Sequence, residues 1–352
     1  KLSDRLHDEL TKTFIDKRAS VLARGLKQDM KFDTKILENN EIIINEQFIG
    51  KINGLKIKLD LKKETLESDI KSLKKAARQA IGPELERRVQ NIIETSLIEL
   101  QDDFNIYWKK SSIGKIIPGK DYLNPNIELL VDDILEQNQR KRLVAFLEKW
   151  LKKKIDVVLK SLMDLKDLKE KNTSIKALAY QLYENNGVLK REQVSEYLNK
   201  LGQDERKTLR DLGVKFGRYH VFLHRLIKPE SVSLRTLLWK NYHQKYFRLK
   251  PPTFGLNFLE DHKSQNKDFM LLCGFEKFDN FYIRIDILER LFMKIINSNT
   301  EQGREKEIKM TPEMLNLLGC NKVNFKKLIK NMNYKVTEKD NEIFFRYNPK
   351  KI

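Results

Sequence analysis

The sequence predicts a mainly α-helical, multidomain chain that carries small β-hairpins. Apolar residues recur at helical spacing along most of the 352 positions. Only EIIINEQFIGKING (41–54), NIYWKKSSIGKIIP (105–118), GVKFGRYHVFL (213–223) and part of the tail read as extended. The length exceeds what one core usually holds, so several domains are expected.

Taken in order, residues 2–26 read as a helix, with Ser3 as cap and Leu2, Leu6, Leu10, Phe14 and Leu22 on one face. The extended patch at 41–54 has an ungapped second copy 64 residues later. Ile42, Ile49, Gly50, Lys51 and Ile52 match Ile106, Ile113, Gly114, Lys115 and Ile116. This predicts tandem units, each a β-hairpin leading into helices at 62–80 and 83–100, then at 132–163. Pro83 suits the first turn of a helix, which predicts a break at Gly82. In 132–163, Leu143, Phe146, Leu147, Trp150 and Leu151 form the apolar side, while Lys152, Lys153 and Lys154 read as a solvated face.

Asn172-Thr173-Ser174 opens a helix through Tyr183, and Asn186-Gly187 closes it. Helices at 191–201 and 203–212 and the extended 213–223 complete an order that predicts a winged-helix-like module. A helix at 230–246 ends before Pro251-Pro252 and Gly255, a domain boundary. The stretch 297–308 reads as an exposed loop. Thr311-Pro312 opens a short helix ended by Gly319, and a helix follows at 321–331. Two strands around Lys339-Asp340-Asn341 then make a second winged nucleic-acid module or, equally, a plain helical hairpin with a β-flap. The expected domains are 1–40, 41–104, 105–170, 171–250 and 251–352.

Charge narrows the function. Lys and Arg number 69 and Asp and Glu 50, a net charge of +19 that calls for an anionic partner. Between Arg206 and Lys250 there are twelve basic and two acidic residues, interleaved with aromatics. Cations hold phosphates and aromatic faces stack on unpaired bases, so the mixture suits single-stranded nucleic acid. The same aromatics equally suit a core. Lys215, Arg218, His220, Arg225, Lys228, Arg235 and Lys240 are the candidate phosphate contacts. Tyr219, Phe222 and Tyr242 are candidate stacking residues, and Lys322, Lys326 and Lys330 form a secondary patch.

Two cysteines give no disulfide framework and point to a reducing, cytoplasmic setting. No apolar run is long enough for a membrane span. GKIIPGK (114–120) has phosphate-loop spacing, yet Asp121 replaces the Mg²⁺-holding hydroxyl and Pro118 removes a needed N–H. His220 and His224 lack a third metal ligand at suitable spacing. No active site is expected, and no cofactor in this chain.

Five strings stand in register with a known family: LTKTFIDKRASVLARGL (10–26), GVKFGRYHVFL (213–223), LIKPESVSLRTLLW (226–239), RIDILERL (284–291), and TPEMLNLLGC (311–320) with KKLIKNMNYK (326–335). Together they resemble the region after the motor in alphaproteobacterial superfamily 2 helicases, which are similar to the RNA helicase of the mitochondrial degradosome. The resemblance covers nearly the whole chain. It implies a parent enzyme that works on nucleic acid, RNA before DNA, with ATP and Mg²⁺ handled by motor domains upstream in cis. A chain that begins at Lys1 reads as a C-terminal fragment of such a protein. Lys and Asn stand where the relatives favour Arg and Ala, and His224 where they carry proline. No motor motif is present, so no catalytic residue is carried over. The rival readings are a stand-alone nucleic-acid-binding adapter and a domain that docks a nuclease or other protein.

Overall fold

The structure, a computed structural model, describes residues 33–60, 67–132, 135–168, 172–261, 265–302, 307–340 and 342–348. The helix expected at 2–26, with the string 10–26, lies outside them. Chain contacts divide the protein into two compact units, 1–153 and 154–352. The described residues contain eleven α-helices and seventeen strands in five antiparallel sheets of three or four strands. The class is therefore mixed α+β, and the expectation of a mainly α chain is wrong. Many of the strands have only three or four residues, too few for their alternation to stand out from a helical pattern.

In the N-terminal unit, β1 (Thr34–Ile36), β2 (Glu41–Ile44), β3 (Gln47–Asn53) and β4 (Lys56–Leu59) form one meander. A second consists of β5 (Ile98–Leu100), β6 (Asn105–Trp108), β7 (Ser111–Ile117) and β8 (Asn126–Leu129). The repeat is exact in register. Ile42 faces Gly50 and Ile43 faces Phe48 across a bulge; Ile106 faces Gly114 and Tyr107 faces Ser112 across the same bulge. Both hairpins turn on two residues of positive φ, Asn45-Glu46 (47° and 63°) and Lys109-Lys110 (45° and 65°), the geometry that matches strand twist. The matching isoleucines are all buried. Glycine is required at 50 because a Cβ there would run into the Lys58 carbonyl. The units are thus four-stranded meanders, not hairpins, and the boundary expected at 104/105 cuts the second sheet.

A single helix, α1 (Glu67–Thr95), follows the first sheet. The break expected at Gly82 is absent: Pro83 sits inside the helix. Ala77, Ile81, Leu85, Val89 and Ile92 make one buried stripe through it, and their burial outweighs the hydrogen bond that proline forgoes. Pro83→Ala restores that bond, less the entropy regained by the unfolded chain. It is expected to stabilise the unit by about 1–2 kcal/mol in urea denaturation; an unchanged midpoint would contradict this. Helix α2 (Gln137–Val158) follows the second sheet, with Leu143, Leu147, Leu151 and Ile155 buried and Lys152 and Lys153 exposed.

The C-terminal unit takes in the end of α2 and continues with α3 (Lys160–Lys166). One supersecondary pattern then recurs. Helix α4 (Thr173–Glu184), β9 (Val188–Lys190), α5 (Ser195–Asn199), α6 (Gln203–Asp211), β10 (Val214–Phe216) and β11 (His220–Leu223) form a sheet of order β10-β11-β9, with the last strand in the middle. Asn172 caps α4, accepting from the Ser174 and Ile175 N–H groups at 2.8 and 3.3 Å. A shortened version follows: α7 (Pro229–Tyr242), β12 (Phe258–Glu260), α8 (Lys267–Leu272), β13 (Phe275–Phe278) and β14 (Phe281–Arg284), in order β12-β14-β13. The third is complete again: α9 (Ile285–Gln302), β15 (Ile308–Lys309), α10 (Pro312–Leu318), α11 (Lys322–Asn331), β16 (Tyr334–Lys339) and β17 (Glu342–Tyr347), in order β15-β17-β16. The first follows the expected order of helix, short strand, helix, helix and strand; the third contains the expected two helices and two strands, with α9 and β15 added before them. The middle one was not foreseen, and the boundary at 250/251 cuts through it. Residues 297–302, expected in a loop, belong to α9.

Candidate nucleic-acid interface

The β10–β11 hairpin, at the centre of the basic window, does not project freely. Its tip is held by one carboxylate from α9. Glu289 accepts hydrogen bonds from the backbone N–H groups of Arg218, Tyr219 (3.0 Å) and His220 (2.8 Å), and from His220 Nδ1 (2.9 Å). Gly217 is needed here, since a Cβ would collide with that carboxylate. Tyr219 packs edge-on against Phe292, with centroids 4.7 Å apart. On its far side His220 Nε2 lies 3.8 Å from Glu276, which is also paired with Lys190 at 2.9 Å.

Burial alone would lower the His220 pKa, but the Glu276 and Glu289 carboxylates outweigh it and raise it above 6.5. Burial likewise opposes ionisation of Glu276, yet His220 and Lys190 hold its pKa below 4.5. A raised histidine stabilises the fold at low pH and loses that contribution as pH climbs through its folded pKa. A lowered glutamate contributes above its unfolded pKa and loses that as pH falls. The cluster is therefore expected to stabilise the unit most between about pH 4.5 and 6.5, with stability declining above that range in urea unfolding. A flat profile from pH 6 to 9 would contradict the assignment.

The predicted site residues separate into two groups. Phe222 is core, packed with Val188 and Ile285. Arg235 is fully buried: its guanidinium donates to the carbonyls of Asn186 (2.8 Å), Leu226 (2.6 Å) and Leu272 (2.9 Å), tying α7 to its neighbours. Lys240 is also buried. His220 and Tyr219 are committed to the clamp. Burial keeps Phe222, Arg235 and Lys240 from a phosphate or base outside, whereas Tyr219, half-buried, and His220 line a cleft beside Arg218. Lys326 is ion-paired with Glu338. The window's Trp239 stacks on Tyr246 at 5.1 Å, so these aromatics serve local packing.

Lys215, Arg218, Arg225, Lys228, Lys322 and Lys330 are exposed, as is Tyr242. Among the described residues no carboxylate lies within 4 Å of any of these six cations. Their fields are felt locally. Burial, then the positive charges of Lys228, Lys215 and Arg284, depress the His224 pKa, Asp286 opposing. Burial, then Arg206 and Arg218, lower that of Arg191. Arg218 also overlies the Tyr347 ring at 5.9 Å and lines a cleft of about 590 Å³ with Lys190, Arg191, Ser195, Glu276 and Tyr347. That volume lies within the range of roughly 300–1,000 Å³ usual for ligand sites. A ligand entering it would meet guanidinium donors and an aromatic face, and also the carboxylates of Glu192, Glu276 and Asp279.

Glu289, Glu276, Lys190, Arg191 and Tyr347 were not foreseen. A signal existed for Glu289: it falls one turn from Ile285 and Phe292, both fully buried, so it had to lie on the apolar stripe of α9. The others come together only through sheet pairing and the packing of distant elements. No protein-family model, no curated protein and no solved structure matches this chain.

Proposed function

We propose that the C-terminal unit grips nucleic acid, single-stranded RNA before duplex DNA, as the strand-holding part of an assembly whose ATP-driven motor lies in other domains. The observation that carries this reading is the set of exposed cations Lys215, Arg218, Arg225 and Lys228, left without described carboxylate partners; Lys228 and Lys215 add to the burial that depresses the His224 pKa. Exposed cations in surplus raise the local potential and draw a polyanion, whose phosphates relieve their mutual repulsion. The outward Tyr242, and Phe247 with the Arg248 guanidinium 5.3 Å above its ring, supply aromatic faces for unpaired bases. The preference for RNA rests on the family resemblance of the strings at 213–223 and 226–239. No catalytic group is assigned to this chain.

Binding of single-stranded RNA, single-stranded DNA and duplex DNA at several salt concentrations tests the reading. If the six exposed cations each neutralise a phosphate, affinity falls on the order of a thousandfold between about 50 and 200 mM salt. A flat salt profile would favour a protein-docking role instead.

A further inference from the structure

We propose that a pocket in the N-terminal unit, where the two repeated sheets meet, binds a phosphate group. This goes beyond the reading above, which concerns the other unit. The pocket has a volume of about 230 Å³, below the usual range for larger ligands and suited to a small group. Its cations are Arg87 and Arg88 from α1 and Lys109 from the β6–β7 turn. Asn40, Asn53 and Asn91 also line the pocket.

The charge balance favours an anion. Glu84 is the one described carboxylate bound to the two guanidinia, and its pKa is lowered, first by the hydrogen bond from Arg87. Three cations against one acid leave a surplus of two. The guanidinia are also set in advance. Arg87 donates through Nε and Nη2 to Glu84 at 2.7 and 2.9 Å. Arg88 donates through Nε to Glu84 and through Nη1 to the Gly54 carbonyl, both at 2.8 Å. Each keeps a terminal nitrogen free of these bonds, so an oxyanion is met by donors that need little further ordering.

Trp108 closes the pocket. It is buried, the Lys109 ammonium stands 4.9 Å from its ring centroid, and its Nε1–H has no hydrogen-bond partner among the described residues. In the first copy the equivalent positions, 64 residues earlier, hold Ile44 and Asn45. Both copies keep the same sheet register, so sheet pairing alone does not call for the Trp108-Lys109 pair.

The test follows the Trp108 indole N–H, one of three tryptophan indoles in the chain, by ¹⁵N–¹H spectra of the whole chain, assigned with Trp108→Phe. Inorganic phosphate is expected to move this signal with a midpoint on the order of 1 mM, whereas sodium chloride at equal ionic strength does not. The double variant Arg87→Ala/Lys109→Ala changes two exposed side chains and is expected to abolish the movement. Single-stranded RNA with and without a 5′-phosphate forms the second arm. Movement with RNA assigns the site to strand phosphates; movement with inorganic phosphate alone assigns it to the free ion. No phosphate-specific movement with any probe, or an equal movement in the double variant, overturns the proposal. Replacing Lys215, Arg218, Arg225 and Lys228 leaves this readout unaffected, so the two readings fail separately.

Discussion

Glu289→Ala is expected to destabilise the C-terminal unit by about 3–5 kcal/mol, the usual cost of removing one partner from a buried, hydrogen-bonded ion pair. One side chain supplies the acceptor for three backbone N–H groups at the β10–β11 tip and for the His220 ring. Truncation leaves those amides without an acceptor, and an unmet buried donor costs about 1–3 kcal/mol before water relieves part of it. It also leaves His220 enclosed with only the Glu276 carboxylate. For a unit of this size the melting temperature should fall by roughly 10 °C. Glu289→Gln keeps an acceptor oxygen but not the charge, so it should fall between the two and bring the His220 pKa down from its raised value. Urea and thermal unfolding measure both variants. A loss no larger than that of an ordinary surface substitution would mean that the hairpin tip is held by something else.

The second large effect concerns binding. Lys215, Arg218, Arg225 and Lys228 are all exposed, so replacing the four by alanine should leave the melting curve nearly unchanged. If each meets one phosphate, affinity for single-stranded RNA should drop on the order of 10²–10³-fold near 0.1 M salt. The loss should be uniform across sequences, because phosphate contacts carry no base information. The buried Arg235 is the informative contrast. Arg235→Ala would break a joint with the carbonyls of Asn186, Leu226 and Leu272, so it acts on stability and not on the ligand.

The duplication in the N-terminal unit was legible because the copies kept the residues that geometry constrains: isoleucines facing the core and a glycine opposite a bulge. The outer strands β1 and β5 were not, since three residues carry no readable alternation. Pro83 misled because local sequence reports what a proline costs a helix and not the burial of Ile81, Leu85 and Val89 that offsets it. At the candidate site, residue type was an unreliable guide to place. Arg235 looked like a surface cation, yet Leu234, Thr236, Leu237 and Leu238 surround it, and a helix that is apolar on every side is buried on every side. His220 looked like part of a basic strand. Its partners Glu276 and Glu289 lie more than fifty positions away in sequence, and only packing brings them to it.

The most direct test is the slope of log affinity against log salt for single-stranded RNA, measured on the unaltered protein and on the variant lacking Lys215, Arg218, Arg225 and Lys228. Outward cations that hold the strand predict a slope shallower by about 3 in the variant. Parallel lines for the two proteins would contradict the account.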